Sequence, residues 1–205
     1  MKKARLAVLV SGGGTNLQAL LDAEAKGLLP HGEIALVLSS KAGVYALDRA
    51  KASNVPTAVA DRKAFSSEKE FEAALSGALS QAGIDILVLA GFLWILSAEF
   101  VGKWPGRILN VHPSLIPSFC GKGYYGRKVH EAALSRGVKV TGATVHLVNH
   151  IPDGGEILLQ KAVAVEENDT PDTLQRRVME QAEWVLLPRA AEMICERICR
   201  EKFER

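Results

Sequence analysis

The sequence predicts a single α/β domain. It should hold a mostly parallel, twisted sheet with helices on both faces and antiparallel strands in the C-terminal part. Three observations carry this expectation. Short apolar runs alternate with helix-length segments along the first two thirds of the chain. Residues 84–90, Ile-Asp-Ile-Leu-Val-Leu-Ala, have the composition of a strand buried on both faces. Residues 141–148 and 156–165 read as two extended segments, and only the turn-rich residues 149–155 separate them. So short a connection suits an antiparallel pair rather than a parallel crossover.

The elements run in order along the chain. Residues 5–10 read as the first strand. Residues 16–25 read as a helix with Leu17, Leu20 and Leu21 on one face. Residues 34–38 are a second strand, 45–53 a second helix, and 57–60 a short strand after Pro56. Phe71, Ala74, Leu75 and Leu79 recur at helical spacing and predict a longer helix over 67–82. Residues 84–90 and 108–111 are the next strands. Asp169-Thr170-Pro171 marks a helix start, with Thr170 as N-cap and Pro171 in the first turn. That helix is expected to run to about residue 200, with a kink at Pro188. No internal repeat, low-complexity tract or linker interrupts the chain, so residues 1–205 are read as one domain.

Composition narrows the function classes. Hydrophobic residues make up 48% and charged residues 23% of 205 positions, an ordinary globular balance. The net charge of +2 gives no sign of a nucleic-acid or membrane surface, so neither partner is expected. Three cysteines, Cys120, Cys195 and Cys199, form no disulfide framework and fit a reducing compartment. Met1-Lys2-Lys3 before an apolar run resembles a signal peptide. The run is short and Ser11-Gly12-Gly13-Gly14 breaks it, so it reads as a buried strand. No apolar stretch is long enough to span a bilayer, and a cytoplasmic protein is expected. Monomer and homodimer both remain open.

Ligands of open α/β sheets bind beyond the carboxyl ends of the strands. Residues 11–15, 91–96 and 110–117 all begin at such ends. In Ser11-Gly12-Gly13-Gly14-Thr15-Asn16, glycines permit a tight turn, and N–H groups at the start of the next helix favour a phosphate. The plainer reading is a turn that only needs positive φ. No Gly-Lys-Ser/Thr comes after it, and a third fingerprint glycine would fall at Leu17, so a phosphomonoester suits the turn better than a pyrophosphate.

Asn110 and His112 stand two apart at the end of a predicted strand, so both side chains share one face. Pro113 and Pro117 stiffen the exit. An amide can steady a carbonyl oxygen and an imidazole can move a proton, which points to chemistry at a carbonyl. Asp153, in Asp153-Gly154-Gly155, has two readings: a turn former, or a carboxylate that approaches His112 and stabilises its charged form. His146 shares a strand face with Thr144 and Val148 and has two readings, a side chain that points towards the site and, as the favoured one, a hydrogen-bonded structural histidine. His130 is read as the start of a helix, and His31 and His150 as loop residues. Cys195 and Cys199 lie four apart without further ligands, and no metal is expected.

Five blocks occur in order: Ser11-Gly12-Gly13-Gly14-Thr15-Asn16-Leu17, Leu89-Ala90-Gly91-Phe92, Asn110-Val111-His112-Pro113-Ser114-Leu115, Thr141-Gly142-Ala143-Thr144-Val145-His146 and Asp153-Gly154-Gly155. Together they resemble the folate-dependent phosphoribosylglycinamide formyltransferases of purine synthesis, over nearly the full length. The resemblance implies a Rossmann-like formyltransferase fold. It implies transfer of a formyl group from 10-formyltetrahydrofolate, as cosubstrate, to the amine of glycinamide ribonucleotide. It casts His112 as proton donor, Asn110 as partner of the formyl oxygen and Asp153 as the group that tunes His112. Gly14, Thr15 and Asn16 would hold the substrate phosphate, and Glu183 would contact the ribonucleotide. Leu93, Trp94, Ile95 and Leu96 would border the folate with Asn110, Asn149, His150 and Asp153.

The chain departs from the common pattern in places. Many members carry an arginine, a partner for the folate glutamate tail, where this chain has Trp94. A second expected basic residue is replaced by Glu68, next to Lys69. The loop Cys120-Gly121-Lys122-Gly123-Tyr124-Tyr125-Gly126 is longer than in some members and resembles a branch that also has Trp at position 94. Lys122 is read there as a solvated loop residue. The spacing before Glu183 differs by one residue. The same Asn-x-His and Asp set occurs in methionyl-tRNA formyltransferases and formyltetrahydrofolate hydrolases. Those usually carry an added C-terminal or N-terminal domain, for which this chain is expected to leave no room. A non-catalytic nucleotide-binding module is a further alternative, but leaves Asn110, His112 and Asp153 without a role.

Overall fold

A computed structural model describes residues 2–203. The chain begins β1 (Ala4–Val10), α1 (Thr15–Ala25), β2 (Gly32–Ser39), α2 (Tyr45–Ala52), β3 (Thr57–Val59) and α3 (Glu68–Gln81). It continues through β4 (Ile86–Leu89), α4 (Ala98–Gly102), β5 (Ile108–His112), α5 (Arg127–Arg136), β6 (Val140–Leu147) and β7 (Ile157–Ala164). It closes with α6 (Pro171–Val178) and α7 (Trp184–Phe203). The expected strands and long helices are present. The short α4 has no counterpart among the expected helices, and His130 falls inside α5 rather than at its start.

The seven strands form one sheet in the order β3-β2-β1-β4-β5-β6-β7. β1 to β5 pair in parallel, and β6 and β7 add antiparallel, as the short 149–155 connection required. The order reverses at β1 and β4, which opens the crevice where such sheets take ligands. The turn after β1 and the loop after β4 flank that crevice. They are tied together by the Leu93 N–H, which donates to Ser11 Oγ at 3.0 Å.

Each face of the sheet has its own core. Leu17 and Leu20 of α1, Leu174 and Val178 of α6, and Leu187 and Ile194 of α7 cover one face, against Leu109, Val111, Val145 and Leu147. Phe71, Leu75 and Leu79 of α3, with Phe100 of α4, cover the other, against Leu9, Leu38, Leu87 and Ile108. Strand alternation then sorts the side chains of β5. Ile108 belongs to the second face and Leu109 to the first, so Asn110 and His112 return to the second. There the apolar stripe turns polar, and loops rather than helices lie over it.

The last helical stretch runs on as expected, with Pro188 inside α7. The irregularity is a π turn at Met179–Glu183, between α6 and α7. A π turn is how a helix absorbs one extra residue, and it falls where the spacing before Glu183 differs by one residue from the pattern that the sequence resembles. Thr170 caps α6 as expected: its hydroxyl accepts from the Thr173 N–H, and the Thr173 side chain closes the box.

Candidate active site

Asn110, His112 and Asp153 meet, although 41 positions separate the last two in sequence. β5 ends with His112, whose Nδ1 lies 3.6 Å from Asp153 Oδ2. The Asn110 amide donates to Asp153 Oδ1 at 3.4 Å. Asp153 arrives on the loop between β6 and β7 with φ +54, in the left-handed region. Gly155 lets that loop fold back, because a Cβ there would stand 1.7 Å from the Leu147 carbonyl oxygen. The Gly121 N–H donates to Asp153 Oδ2 at 2.8 Å, so the 113–126 loop is fastened over the same carboxylate.

His146 is the fourth member, so of its two readings the one that points it towards the site holds, rather than the favoured structural one. Its Nε2 lies 3.2 Å from the Asn110 amide nitrogen and 3.5 Å from Asp153 Oδ1. Its Nδ1 faces the Leu147 carbonyl at 2.9 Å, so Nε2 is the nitrogen turned to Asn110 and Asp153. The signal that finds it is register: His146 pairs directly with Asn110 across the β5–β6 ladder.

Burial alone would raise the Asp153 carboxyl. The hydrogen bond with His146, the His112 charge and the Gly121 N–H together outweigh it and hold the group below the usual carboxylate range. His112 is 4% exposed, and its Nε2 donates to the Phe119 carbonyl at 2.8 Å. Both ring nitrogens therefore face oxygen acceptors. His130, on α5, is fully buried with no partner for either nitrogen; burial, aided by the His112 charge, drives it down to about 4, so it stays neutral.

The other predicted residues divide into two groups. Gly14 (φ +73), Thr15 and Asn16 open α1 at the crevice. The Asn16 amide donates to Glu183 Oε2 at 2.7 Å, so the π turn aims Glu183 back at the glycine turn. Leu93, Trp94 and Ile95 form an exposed apolar rim after β4, with Trp94 43% exposed. The Trp94 ring packs edge-on to Phe71 and lies under the Arg62 guanidinium at 5.3 Å. Next to them the Leu96 side chain is buried with Phe71 and Phe100. Asn149 braces its own loop, accepting from the Ile151 N–H and donating to the Gly154 carbonyl, while His150 is exposed.

A cavity of about 690 Å³ opens between α1 and α7. It shares Thr15 and Arg49 with the glycine turn, but Asn110, His112 and Asp153 do not line it. We assign the chemistry to the polar quartet despite the size of this cavity, because the quartet joins an amide, two buried imidazoles and a carboxylate in mutual contact. Among the described residues no three His, Cys, Asp or Glu side chains gather in a metal-binding arrangement. No helix among them is long and apolar enough to cross a membrane.

Glu183 makes a testable stability statement. Full burial raises its carboxyl from 4.5 to about 7, and the Asn16 hydrogen bond offsets only part of this. Between those values the unfolded chain releases the proton while the folded chain keeps it. The folded state then binds more protons, so stability falls as pH rises through the window and levels off above it. Relative to Glu183→Gln, the wild type should lose about 3 kcal/mol between pH 4.5 and 7.5 in urea denaturation. Parallel pH profiles would contradict the buried, neutral carboxyl.

The geometry has counterparts among known proteins. Residues 4–190 match the formyl transferase family. The phosphoribosylglycinamide formyltransferase of Haemophilus influenzae is 42% identical, with 88% of this chain and 82% of that protein aligned. The human trifunctional purine biosynthetic protein adenosine-3 is 46% identical over 94% of this chain, which spans only 18% of that protein's length. The crystal structure of glycinamide ribonucleotide transformylase 1 from Symbiobacterium toebii superposes with a TM-score of 0.88 at 40% identity, covering 95% of this chain and 88% of that one. By sequence and by structure, the chain belongs to the formyl transferase family.

Proposed function

We propose that the protein transfers the formyl group of 10-formyltetrahydrofolate to the amine of 5'-phosphoribosylglycinamide, a step of purine synthesis. The observation that carries this is the junction of Asn110, His112, Asp153 and His146 within 3.6 Å contacts at the sheet rim. The glycine turn and Glu183 open on the same crevice. The relatives named for this reaction support the reading.

The acceptor nitrogen attacks the formyl carbon, forming a C–N bond and a tetrahedral intermediate. Its oxygen takes the negative charge. The Asn110 amide nitrogen has two hydrogens; one is engaged by His146 and Asp153, and the other serves that oxygen. Collapse of the intermediate breaks the bond to the folate nitrogen, which must gain a proton as the acceptor nitrogen loses one. His112 supplies the proton from Nε2, exchanging its present contact with the Phe119 carbonyl for the ligand. Asp153 stabilises the charged ring from the Nδ1 side. Transfer is direct and uses no protein nucleophile.

Gly14, Thr15 and Asn16 present helix-start N–H groups to the phosphate. Glu183 faces the ribose, and Leu93, Trp94 and Ile95 border the folate ring system. A formyl-transfer assay that offers glycinamide ribonucleotide, water and initiator tRNA as acceptors tests the reading. Turnover with the ribonucleotide is expected. Formate release alone would make the protein a hydrolase, and phosphate-ligand binding without folate-dependent turnover would make it a nucleotide-binding module.

A further inference from the structure

The glycine turn is gripped from behind by α2. The Ala46 N–H donates to the Gly12 carbonyl at 3.2 Å, and Arg49 Nε donates to the Gly13 carbonyl at 2.9 Å. Packing is close: a Cβ on Gly14 would come within 2.7 Å of the Ala46 methyl carbon. Two consecutive carbonyls are thus fixed towards α2. A peptide unit is planar and trans, so its N–H points away from its C=O. The N–H groups of Gly13 and Gly14 therefore face the opposite side, towards the crevice. Neither donates to an acceptor among the described residues, and nor do those of Thr15 and Asn16. Such a run of free N–H groups forms a concavity suited to an anion.

Arg49 is itself held rigidly. Its Nη1 donates to Gln18 Oε1 at 2.9 Å, and its guanidinium lies 4.7 Å from the Tyr45 ring centre. None of these partners is a carboxylate, so the positive charge behind the turn is not neutralised by them. We infer that Arg49 is a positioning residue for the substrate phosphate: it holds the Gly13 carbonyl, aims the Gly14 N–H at the phosphate and sets a cation behind that peptide. It touches no reacting atom. The inference rests on the acceptor proposed above.

The test compares two acceptors, glycinamide ribonucleotide and the riboside lacking its phosphate, in wild type, Arg49→Met and Arg49→Lys. A residue that merely supports the fold affects both acceptors alike. The preference for the ribonucleotide, as a ratio of kcat/KM values, should fall about tenfold in R49M. The loss should appear in KM rather than kcat, and R49K should recover most of it. A preference within about twofold of wild type in R49M, or a loss repeated in full by R49K, overturns the role.

Titrating ribose 5-phosphate against tryptophan fluorescence, with Trp184 beside Glu183 as reporter, separates this claim from the reaction. Wild type that binds the sugar phosphate more tightly than R49M, yet transfers no formyl group, removes the reaction and keeps Arg49's role. Equal binding by wild type and R49M removes Arg49's role whatever the turnover.

Discussion

His112→Ala is expected to lower the proposed formyl transfer by about a thousandfold while the protein still folds. The size reflects the job assigned to the ring. A positioned general acid contributes about 10² to 10⁴ in rate, and the same imidazole also faces the developing oxyanion. Folding survives because the ring sits at the end of β5, outside both apolar clusters. The lost contacts are one hydrogen bond to Phe119 and one ion pair with Asp153. Those contacts cost about 1–3 kcal/mol of stability, well inside the margin of a domain of this size. Steady-state turnover, set beside a thermal melt and a folate-binding titration, reads all three quantities. Turnover within tenfold of wild type in a folded, folate-binding variant would remove His112 from the chemistry.

Asp153→Asn has the next largest effect, a loss of about a hundredfold in rate. Asparagine tolerates the left-handed backbone that position 153 adopts, so the loop should keep its course. What changes is charge. The carboxylate accepts from the Gly121 N–H and the Asn110 amide and faces two imidazoles; a neutral amide supports an imidazolium less well and turns an N–H₂ towards one of these donors. Stability should respond to acid as well. The Asp153 carboxyl is depressed in the folded chain, so its ionisation favours folding above its ordinary value of 3.8. That advantage is lost as pH falls through the lower folded value. In D153N the corresponding acid-dependent loss should be absent from a denaturation series below about pH 4. A rate within threefold of wild type for D153N, with the loop intact, would show that charge at 153 does not matter.

Much of this site was legible from alternation and punctuation. A two-residue period placed Asn110 and His112 on one face, and the glycine turn after an apolar run marked the crevice. His146 was not legible, because its meaning depends on which β5 residue it opposes. That register is set across the long 113–139 connection between β5 and β6, which contains α5, and no local rule fixes it. Asp153 was legible only as a turn residue with two readings; its approach to His112 depends on close packing at Gly155. The burial of Leu96 was not legible, because an exposed apolar run looks uniform in sequence, whereas the chain turns inward there under α3 and α4. The π turn at Met179–Glu183 was not foreseen, whereas Pro188 was singled out. Proline is the visible helix breaker, while an excess residue leaves no mark in composition.

The π turn has an angular consequence. Each residue of an α-helix advances the side-chain direction by about 100°. Had the additional residue been threaded through a regular helix, one half would have spun by that amount against the other. Either Leu174 and Val178 would have rotated off the sheet, or Glu183 would have swung away from Asn16. Confining the surplus to a single wide turn keeps both halves in azimuth, so the domain can accept a change in length without reorienting the carboxyl group that Asn16 holds.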